Sequence, residues 1–271
     1  MPPADLRAEV AAALEDLCAP GAPLHVDADG ATWRLHAVSG TNPYTARYLP
    51  SRLRVHQALV EEFLGRHPGI ATDGLAAVVT AGPPAGGKST RLGELGYGAG
   101  WRRIDSDVFK LMLIEHDLHR GNLALPADVA DLALPDRGVV MPLEVSGLYH
   151  YESTVLADKA LEICMAAREN VIVEGTLSWH GLVPQLVGDL VTHGYETLDV
   201  VLVEVPLVTA LERALLRWWA ERQEGGLGGR FTPAATIRGL YRTDTVTASA
   251  ANAQDLVEKA RAANLDVRLT S

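Results

Sequence analysis

Residues 82–89 read GPPAGGKS and form a complete G-x-x-x-x-G-K-[ST] motif. Glycines let consecutive backbone N–H groups curl around an anion, the lysine reaches nucleotide phosphates, and the serine hydroxyl ligates Mg²⁺. The apolar run 75–80 before the motif suits a buried strand, and the residues after Ser89 can open a helix. A chance glycine-rich turn is the alternative, but a chain with only four lysines would rarely match by accident. The predicted phosphate loop consists of Gly82, Pro83, Pro84, Ala85, Gly86, Gly87, Lys88, Ser89 and Thr90.

Composition and charge exclude several classes of protein. The 271 residues carry a net charge of −10, so the basic footprint of a nucleic-acid-binding protein is absent overall. Cys18 and Cys164 lie far apart, which argues against a disulfide framework and fits a reducing cytoplasm. No 18-residue apolar stretch and no signal peptide are present, so we expect a cytoplasmic protein without a membrane partner.

Alternating strand-like and helix-like segments predict an α/β fold: a P-loop kinase-type parallel sheet with helices on both faces. We predict strands at 75–80, 102–104, 171–173, 198–205 and 267–269, and helices at 88–94, 106–116, 153–168, 182–193, 208–224, 234–250 and 253–264. Residues 71–271 form this domain. Residues 1–70 are a mainly helical N-terminal extension, with helices at 4–18 and 51–65 and a hairpin turn at Asp29-Gly30. The extension is either structural, which we favour, or autoinhibitory.

Two segments of the predicted domain are irregular. Residues 120–148 contain several prolines and are interpreted as an inserted lobe or loop. Residues 224–230 read EGGLGGR, which is either a flexible linker between helices or a hinge that closes over a nucleotide.

The segment IDSDVFK at 104–110 follows a predicted strand and brings Asp105 and Asp107 to the carboxyl edge of the sheet, where ligands bind in open α/β folds. One carboxylate can organise Mg²⁺ or cap a helix, while the other accepts a proton from a substrate hydroxyl. The simpler alternative is that Asp105 or Ser106 is only a helix N-cap.

The segment VIVEGT at 171–176 has the form of a strand that presents a magnesium-associated carboxylate, with Glu174 acting through water. Farther along, Arg213 and Arg217 lie off the apolar stripe of the helix 208–224, and Arg230 follows the glycine-rich segment. Arginines beside a flexible segment suit a clamp for a transferring phosphoryl group, whereas the default for Arg213 is a surface residue.

Taken in this order, the motifs resemble the zeta toxin family of bacterial toxin–antitoxin kinases over roughly residues 72–250. The strings that carry the resemblance are GPPAGGKST, IDSDVFK, VIVEGT, the stretch HGYETLDVVLVEVP at 193–206, LLRWW and GRFTP. The resemblance implies a P-loop kinase that uses ATP to phosphorylate the 3′-hydroxyl of the amino sugar in UDP-N-acetylglucosamine. An antitoxin protein that blocks the nucleotide site is the implied partner.

The resemblance also implies residue roles. Lys88 and Ser89 would bind the ATP phosphates and Mg²⁺, Asp107 would be the general base, and Arg217 and Arg230 would stabilise the transferring phosphoryl group. Acceptor-side residues would be Asp105, Asp158, Glu174 and Thr176.

The acceptor side of the chain departs from the family pattern. Asp158 replaces a glutamate, with Glu152 and Glu162 as rivals, and Ser178 stands where the family often has an arginine. A kinase for another small-molecule hydroxyl therefore stays open. An ATP-hydrolysing switch is less favoured, and a GTPase-type base-reading motif is absent.

Overall fold

The protein is described by a computed structural model that covers residues 4–72 and 74–271. The helices are α1 Ala4–Cys18, α2 Thr32–Leu35, α3 Pro50–Gly65, α4 Lys88–Glu94, α5 Ser106–His119, α6 Ala127–Ala130, α7 His150–Ala166, α8 Leu182–Thr192, α9 Leu207–Glu224, α10 Ala234–Arg238 and α11 Ala248–Ala262. The strands are β1 Ala37–Ser39, β2 Arg47–Tyr48, β3 Ala76–Ala81, β4 Arg102–Asp105, β5 Val171–Glu174, β6 Thr197–Leu202 and β7 Asp266–Thr270. Two 3₁₀ helices span Pro43–Thr45 and Pro142–Tyr149.

The chain forms two compact units, each assembled from three segments. We call one the sheet unit; it comprises Val60–Asp105, Ala157–Arg213 and Ala235–Ser271. We call the other the helical unit; it comprises Ser106–Leu156, Ala214–Ala234 and the described part of Met1–Leu59. The division of the sequence at residue 70 stays a prediction about domain organisation.

The sheet unit contains five parallel strands in the order β4-β5-β3-β6-β7, flanked by helices. Strand β3 is central because its sequence is apolar almost throughout, and both of its faces are buried. Val78, Ile172 and Val201 from three neighbouring strands pack with Leu92 of α4. The predicted P-loop kinase-type α/β fold is confirmed.

The helical unit contains the N-terminal helices and a core that they share with later segments. Val10 and Leu14 of α1 are fully buried, as are Phe109 of α5 and Tyr149. The Thr32 hydroxyl donates to the carbonyl of Leu148 at 3.2 Å. The extension therefore supplies part of this core, and the choice between a structural and an autoinhibitory role stays a prediction.

Three details of the predicted secondary structure are wrong. The hairpin at Asp29-Gly30 is a series of tight turns, because the N–H groups of residues 25, 28 and 31 each bond the carbonyl three residues earlier. The strand predicted at 198–205 ends at Leu202, level with Ala81, the last residue of its neighbour β3, where the phosphate loop begins. The helix predicted at 234–250 ends at Arg238. A bridge between Tyr241 and Thr247 then precedes the single long helix α11.

Two observations concern the cysteines and the helices. Both cysteines are free thiols. None of the helices formed by the described residues combines the length and apolar character needed to cross a membrane.

Candidate active site

The phosphate loop leaves β3 in a conformation that depends on glycine. Gly82 has φ +130°, and a Cβ at this position would lie 2.0 Å from the carbonyl oxygen of Val203. Gly87, with φ +100°, immediately precedes α4. Lys88 Nζ folds back onto the loop and donates to the carbonyls of Gly82 (3.1 Å) and Pro83 (2.8 Å). The backbone therefore curls as an anion-binding loop does, and the ammonium group lies against it.

Ser89 and Glu174 lie in contact beside this loop. They come from the two separate motifs at 82–89 and 171–176, which were predicted to act together. The Ser89 hydroxyl donates to Glu174 Oε1 at 3.0 Å. Arg103 of β4 donates to Ser89 Oγ at 2.7 Å and forms an ion pair with the other Glu174 oxygen. A hydroxyl and a carboxylate are hard oxygen donors, so this pair fits a magnesium ion that Ser89 would hold, with Glu174 reached through water.

Arg103 was not identified as a site residue from the sequence. It stands before the Asp105 motif on a strand whose alternation marks it only as an exposed position. Strand pairing brings it to the site, because Arg103 lies opposite Ile172 and Asp105 lies opposite Glu174 in the β4–β5 ladder. Asp105 and Glu174 thus share the carboxyl end of two adjacent strands.

The Glu-Gly-Thr turn is bonded directly to the phosphate loop. Gly82 N–H donates to the Thr176 carbonyl at 3.0 Å. Thr80 of β3 exchanges two hydrogen bonds with the backbone of Gly175, at 3.1 and 3.0 Å. The Thr176 hydroxyl bonds Ser178 at 2.9 Å. Thr176 therefore lies at the mouth of the phosphate loop.

A cavity of about 600 Å³ adjoins the other side of the phosphate loop, toward β6. Gly87, Thr90 and Arg91 form one wall, while Val203 and Arg213 contribute to another. Its size suits a nucleoside. Arg213, for which a plain surface position was the default interpretation, is thus a cavity residue.

Asp107, Lys110 and Arg230 form an ionic cluster in the helical unit. Lys110 Nζ lies 2.9 Å from Asp107 Oδ1, and the Arg230 guanidinium contacts Oδ2. Burial alone would raise the pKa of Asp107, but the two cations outweigh it and hold that pKa well below its usual range. Burial, followed by the nearby Arg230 charge, lowers the pKa of Arg217. Three cations around Asp107 leave a surplus of positive charge, which favours an anionic ligand.

A buried network holds the segment that carries the two arginines. Arg222 Nη1 donates to both oxygens of Glu144 at 2.7 Å, and its Nε donates to Asp136 at 2.9 Å. Trp218 Nε1 donates to the same Glu144 carboxylate at 2.9 Å. Glu144 is 1% exposed, so these contacts replace its hydration. Glu144 and Asp136 come from the inserted region 120–148, which is therefore anchored to α9 within the helical unit.

The glycine-rich segment 224–230 is closely packed. A Cβ on Gly229 would lie 2.2 Å from the Trp218 carbonyl oxygen, and one on Gly228 would lie 2.7 Å from Met141 Cβ. Leu143 N–H also donates to the Leu227 carbonyl at 2.9 Å. The sequence suggested either a flexible linker or a hinge for this segment. Both interpretations require a flexible backbone, which this packing does not support.

Asp158 lies on α7 in the sheet unit, and its electrostatic neighbour is Asp189 of α8. Burial and then Asp189 raise the pKa of Asp158 to about 6. Its role in substrate binding stays a prediction. Of its rivals, Glu152 is fully buried in ion pairs with Arg52 and His56, whereas Glu162 lies 3.4 Å from His193.

Comparison with known proteins supports the family resemblance suggested by the motifs. The family model described as zeta toxin matches residues 137–266. The resemblance to the zeta toxin family is thereby confirmed. The matched stretch of this zeta-toxin-like chain contains Glu174, Arg217 and Arg230 and begins after the phosphate loop and Asp107. No curated protein sequence matches the chain significantly.

Solved structures support the fold of this zeta-toxin-like protein. A chain in the AvrRxo1-ORF1:AvrRxo1-ORF2 complex with sulphate ions matches with a TM-score of 0.56 and 16% identity, over 88% of this chain and 72% of that one. A chain of the PezAT toxin–antitoxin system of Streptococcus pneumoniae matches with a TM-score of 0.53 and 16% identity, over 82% and 78%. The AvrRxo1 complex has also been solved with ATP; it matches with a TM-score of 0.53 and 16% identity, over 88% and 71%. At this identity the likeness shows the fold.

Proposed function

We propose that the protein is an ATP-dependent phosphotransferase that moves the γ-phosphoryl group of ATP to a hydroxyl of a sugar nucleotide such as UDP-N-acetylglucosamine. The observation that carries the proposal is the meeting of Ser89 and Glu174, 3.0 Å apart, beside a complete phosphate loop. ATP is further supported by the cavity next to Gly87 and by the ATP complex of AvrRxo1. The sugar-nucleotide acceptor rests on the family resemblance.

Each group has a proposed role in the transfer. The loop N–H groups and Lys88 would bind the donor phosphates. Mg²⁺ would be held by Ser89, with Glu174 reached through water, and would offset phosphate charge. Asp107 would accept the proton of the acceptor hydroxyl, and Arg217 and Arg230 would stabilise charge on the transferring group. Because Asp107 is ionised and paired with Arg230, we infer that a bound phosphate draws Arg230 away and frees the carboxylate to act as a base.

A partner and a location complete the proposal. PezAT is a toxin–antitoxin system, and AvrRxo1-ORF1 has been solved with AvrRxo1-ORF2. An antitoxin that binds this chain is proposed by the same resemblance, and action in the cytoplasm is proposed from the cysteine content and the lack of a long apolar stretch.

The proposal is tested by incubating the protein with ATP, Mg²⁺ and candidate hydroxyl acceptors, and by following the mass increase of one phosphate. UDP-N-acetylglucosamine, nucleosides and aminoglycosides form the panel. Asp107→Ala is expected to lower turnover by at least about 100-fold while ATP affinity stays within threefold, since general-base catalysis contributes about 10²–10⁴. Lys88→Ala should weaken ATP binding and turnover together. ATP consumption without any phosphorylated acceptor would contradict the proposal.

A further inference from the structure

An exposed tryptophan stands on the loop that follows β5. Trp179 is 66% exposed, although its large apolar ring is of a kind that proteins usually bury in large part. It comes three residues after Thr176, whose carbonyl accepts the hydrogen bond from the phosphate loop. The ring therefore belongs to a segment attached to the site.

The exposure of Trp179 does not come from a loose loop. Asn252 of α11 donates through Nδ2 to the carbonyls of Leu177 (2.9 Å) and Ser178 (3.0 Å). Leu177 is buried and adopts φ +51°, a left-handed conformation that costs a branched residue free energy. Backbone strain of this kind persists only where the surroundings enforce it, and it is commonest at functional sites.

Gly181 sets the position of the indole ring. A Cβ on Gly181 would lie 2.3 Å from Trp179 Cζ2 and 2.6 Å from Cε2, so the ring rests against the glycine backbone. Gly181 itself has helical dihedral angles, φ −62° and ψ −20°, which any residue can adopt. The absence of a side chain is therefore needed for the ring position and not for the backbone. One part of the ring is supported, and most of it faces solvent.

The order of strands places this ring on the acceptor side of the phosphate loop. Strand β3, which leads into the phosphate loop, has β5 on one side and β6 on the other. The 600 Å³ cavity lies on the β6 side and is the place for the donor nucleoside. The loop after β5 follows the strand on the opposite side of β3, and because phosphoryl transfer proceeds in line, we place the acceptor on that side.

His180 adds a polar group beside the ring. Its Nδ1 lies 3.3 Å from Asn252 Oδ1. Because the Asn252 amide nitrogen is used by two carbonyls, its oxygen is the acceptor, and His180 Nδ1 is the donor. In the neutral imidazole, Nε2 is then a hydrogen-bond acceptor. A flat ring next to such an acceptor matches a nucleobase, which offers a π-face and N–H groups on its edge.

Building on the proposed function, we propose that Trp179 stacks on the base of a nucleotide acceptor and that His180 reads its edge. The acceptor is then a nucleotide or a nucleotide-linked sugar, and a plain sugar or an aminoglycoside is disfavoured. Trp179 is a specificity-determining residue: it contributes to acceptor affinity and not to the donor site.

The test measures acceptor binding directly, without turnover. The protein is saturated with a non-hydrolysable ATP analogue and titrated calorimetrically with UDP-N-acetylglucosamine, with the four nucleoside 5′-monophosphates and with N-acetylglucosamine. We expect at least one base-containing probe to bind more than tenfold tighter than the sugar. Trp179→Ala should weaken that probe by roughly 5- to 150-fold, the range of one base–aromatic stack, and Trp179→Phe should restore most of the affinity.

Two further variants make the result specific. Gly181→Ala should push the exposed Trp179 ring aside, because the added Cβ would lie 2.3 Å from Cζ2 of the ring. Binding of the same probe should therefore weaken. Val191→Ala, at another exposed apolar position of the sheet unit, should leave binding unchanged. The inference is overturned if no base-containing probe binds, or if Trp179→Ala changes the affinity for that probe less than twofold. It is also overturned if Trp179→Ala weakens binding of the ATP analogue as much as binding of the probe. Base binding through Trp179 without phosphate transfer would instead overturn the proposed function.

Discussion

Replacing Arg52 by methionine should destabilise the protein strongly, because one guanidinium neutralises two buried carboxylates. Arg52 donates to Glu152 at 2.6 and 2.9 Å and to Asp117 at 2.6 and 2.9 Å. Glu152 is fully buried, and Arg52 and Asp117 are at most 5% exposed. His56 Nε2 lies 2.5 Å from Glu152 Oε1 and is a second hydrogen-bonding partner of that carboxylate.

The size of the loss follows from the buried charge. Removing one partner of a buried ion pair costs about 3–5 kcal/mol, since the remaining charge is left without compensation. Against a typical free energy of unfolding of about 5–15 kcal/mol, this is a large fraction. At about 2–4 °C per kcal/mol for a chain of this size, the midpoint of thermal unfolding should fall by about 6–20 °C.

The pH dependence gives a sharper signature. Burial would raise the pKa of Glu152, but His56 and Arg52 overcome it and lower the pKa to about 2 from 4.5. A lowered folded-state pKa contributes stability that is present above pH 4.5 and is lost as the pH falls toward 2; here it is about 3 kcal/mol. Without Arg52, burial dominates and the carboxyl pKa rises above 4.5. The variant should therefore gain stability as the pH falls from 7 to 5.

Thermal and urea unfolding, followed by tryptophan fluorescence between pH 5 and 7.5, measure both effects. Arg54→Met is the matched control: it lies two residues away on α3, is exposed, and should change stability by less than about 0.5 kcal/mol. A loss below about 1 kcal/mol for Arg52→Met, or a pH slope equal to that of the unaltered protein, would refute the reasoning.

Two other variants probe the site. Gly82→Ala should abolish ATP binding, measured by calorimetry, because its Cβ would clash with the Val203 carbonyl and φ +130° disfavours alanine; near-normal affinity would contradict the loop geometry. Glu144→Gln should lower kcat by about tenfold or more with ATP affinity unchanged, because Arg222 and Trp218 would lose the carboxylate that holds the arginine-bearing segment. An unchanged kcat in steady-state kinetics would exclude that positioning role.

Much of the sheet unit follows from local sequence patterns. The apolar run of β3 and the GPPAGGKS motif identify a central strand and its loop, because strand periodicity and glycine placement act over a few neighbouring residues. The structure also brings Ser89 and Glu174 together, because the phosphate loop follows β3 and Glu174 ends the neighbouring strand β5. The hairpin at residues 29–30 failed, because turn-forming residues also suit consecutive turns without strands.

What sequence alone determined is thus the phosphate-loop motif and the parallel sheet, together with a prediction of the acidic and basic residues that act with them. Tertiary structure alone decided their partners. Arg103 joins Glu174 across 71 positions, Arg222 joins Glu144 across 78, and Arg52 joins Glu152 across 100. In a sequence, a charged residue on a helix or strand looks the same whether it faces water or a buried partner. Only packing removes the water and makes the pairing obligatory.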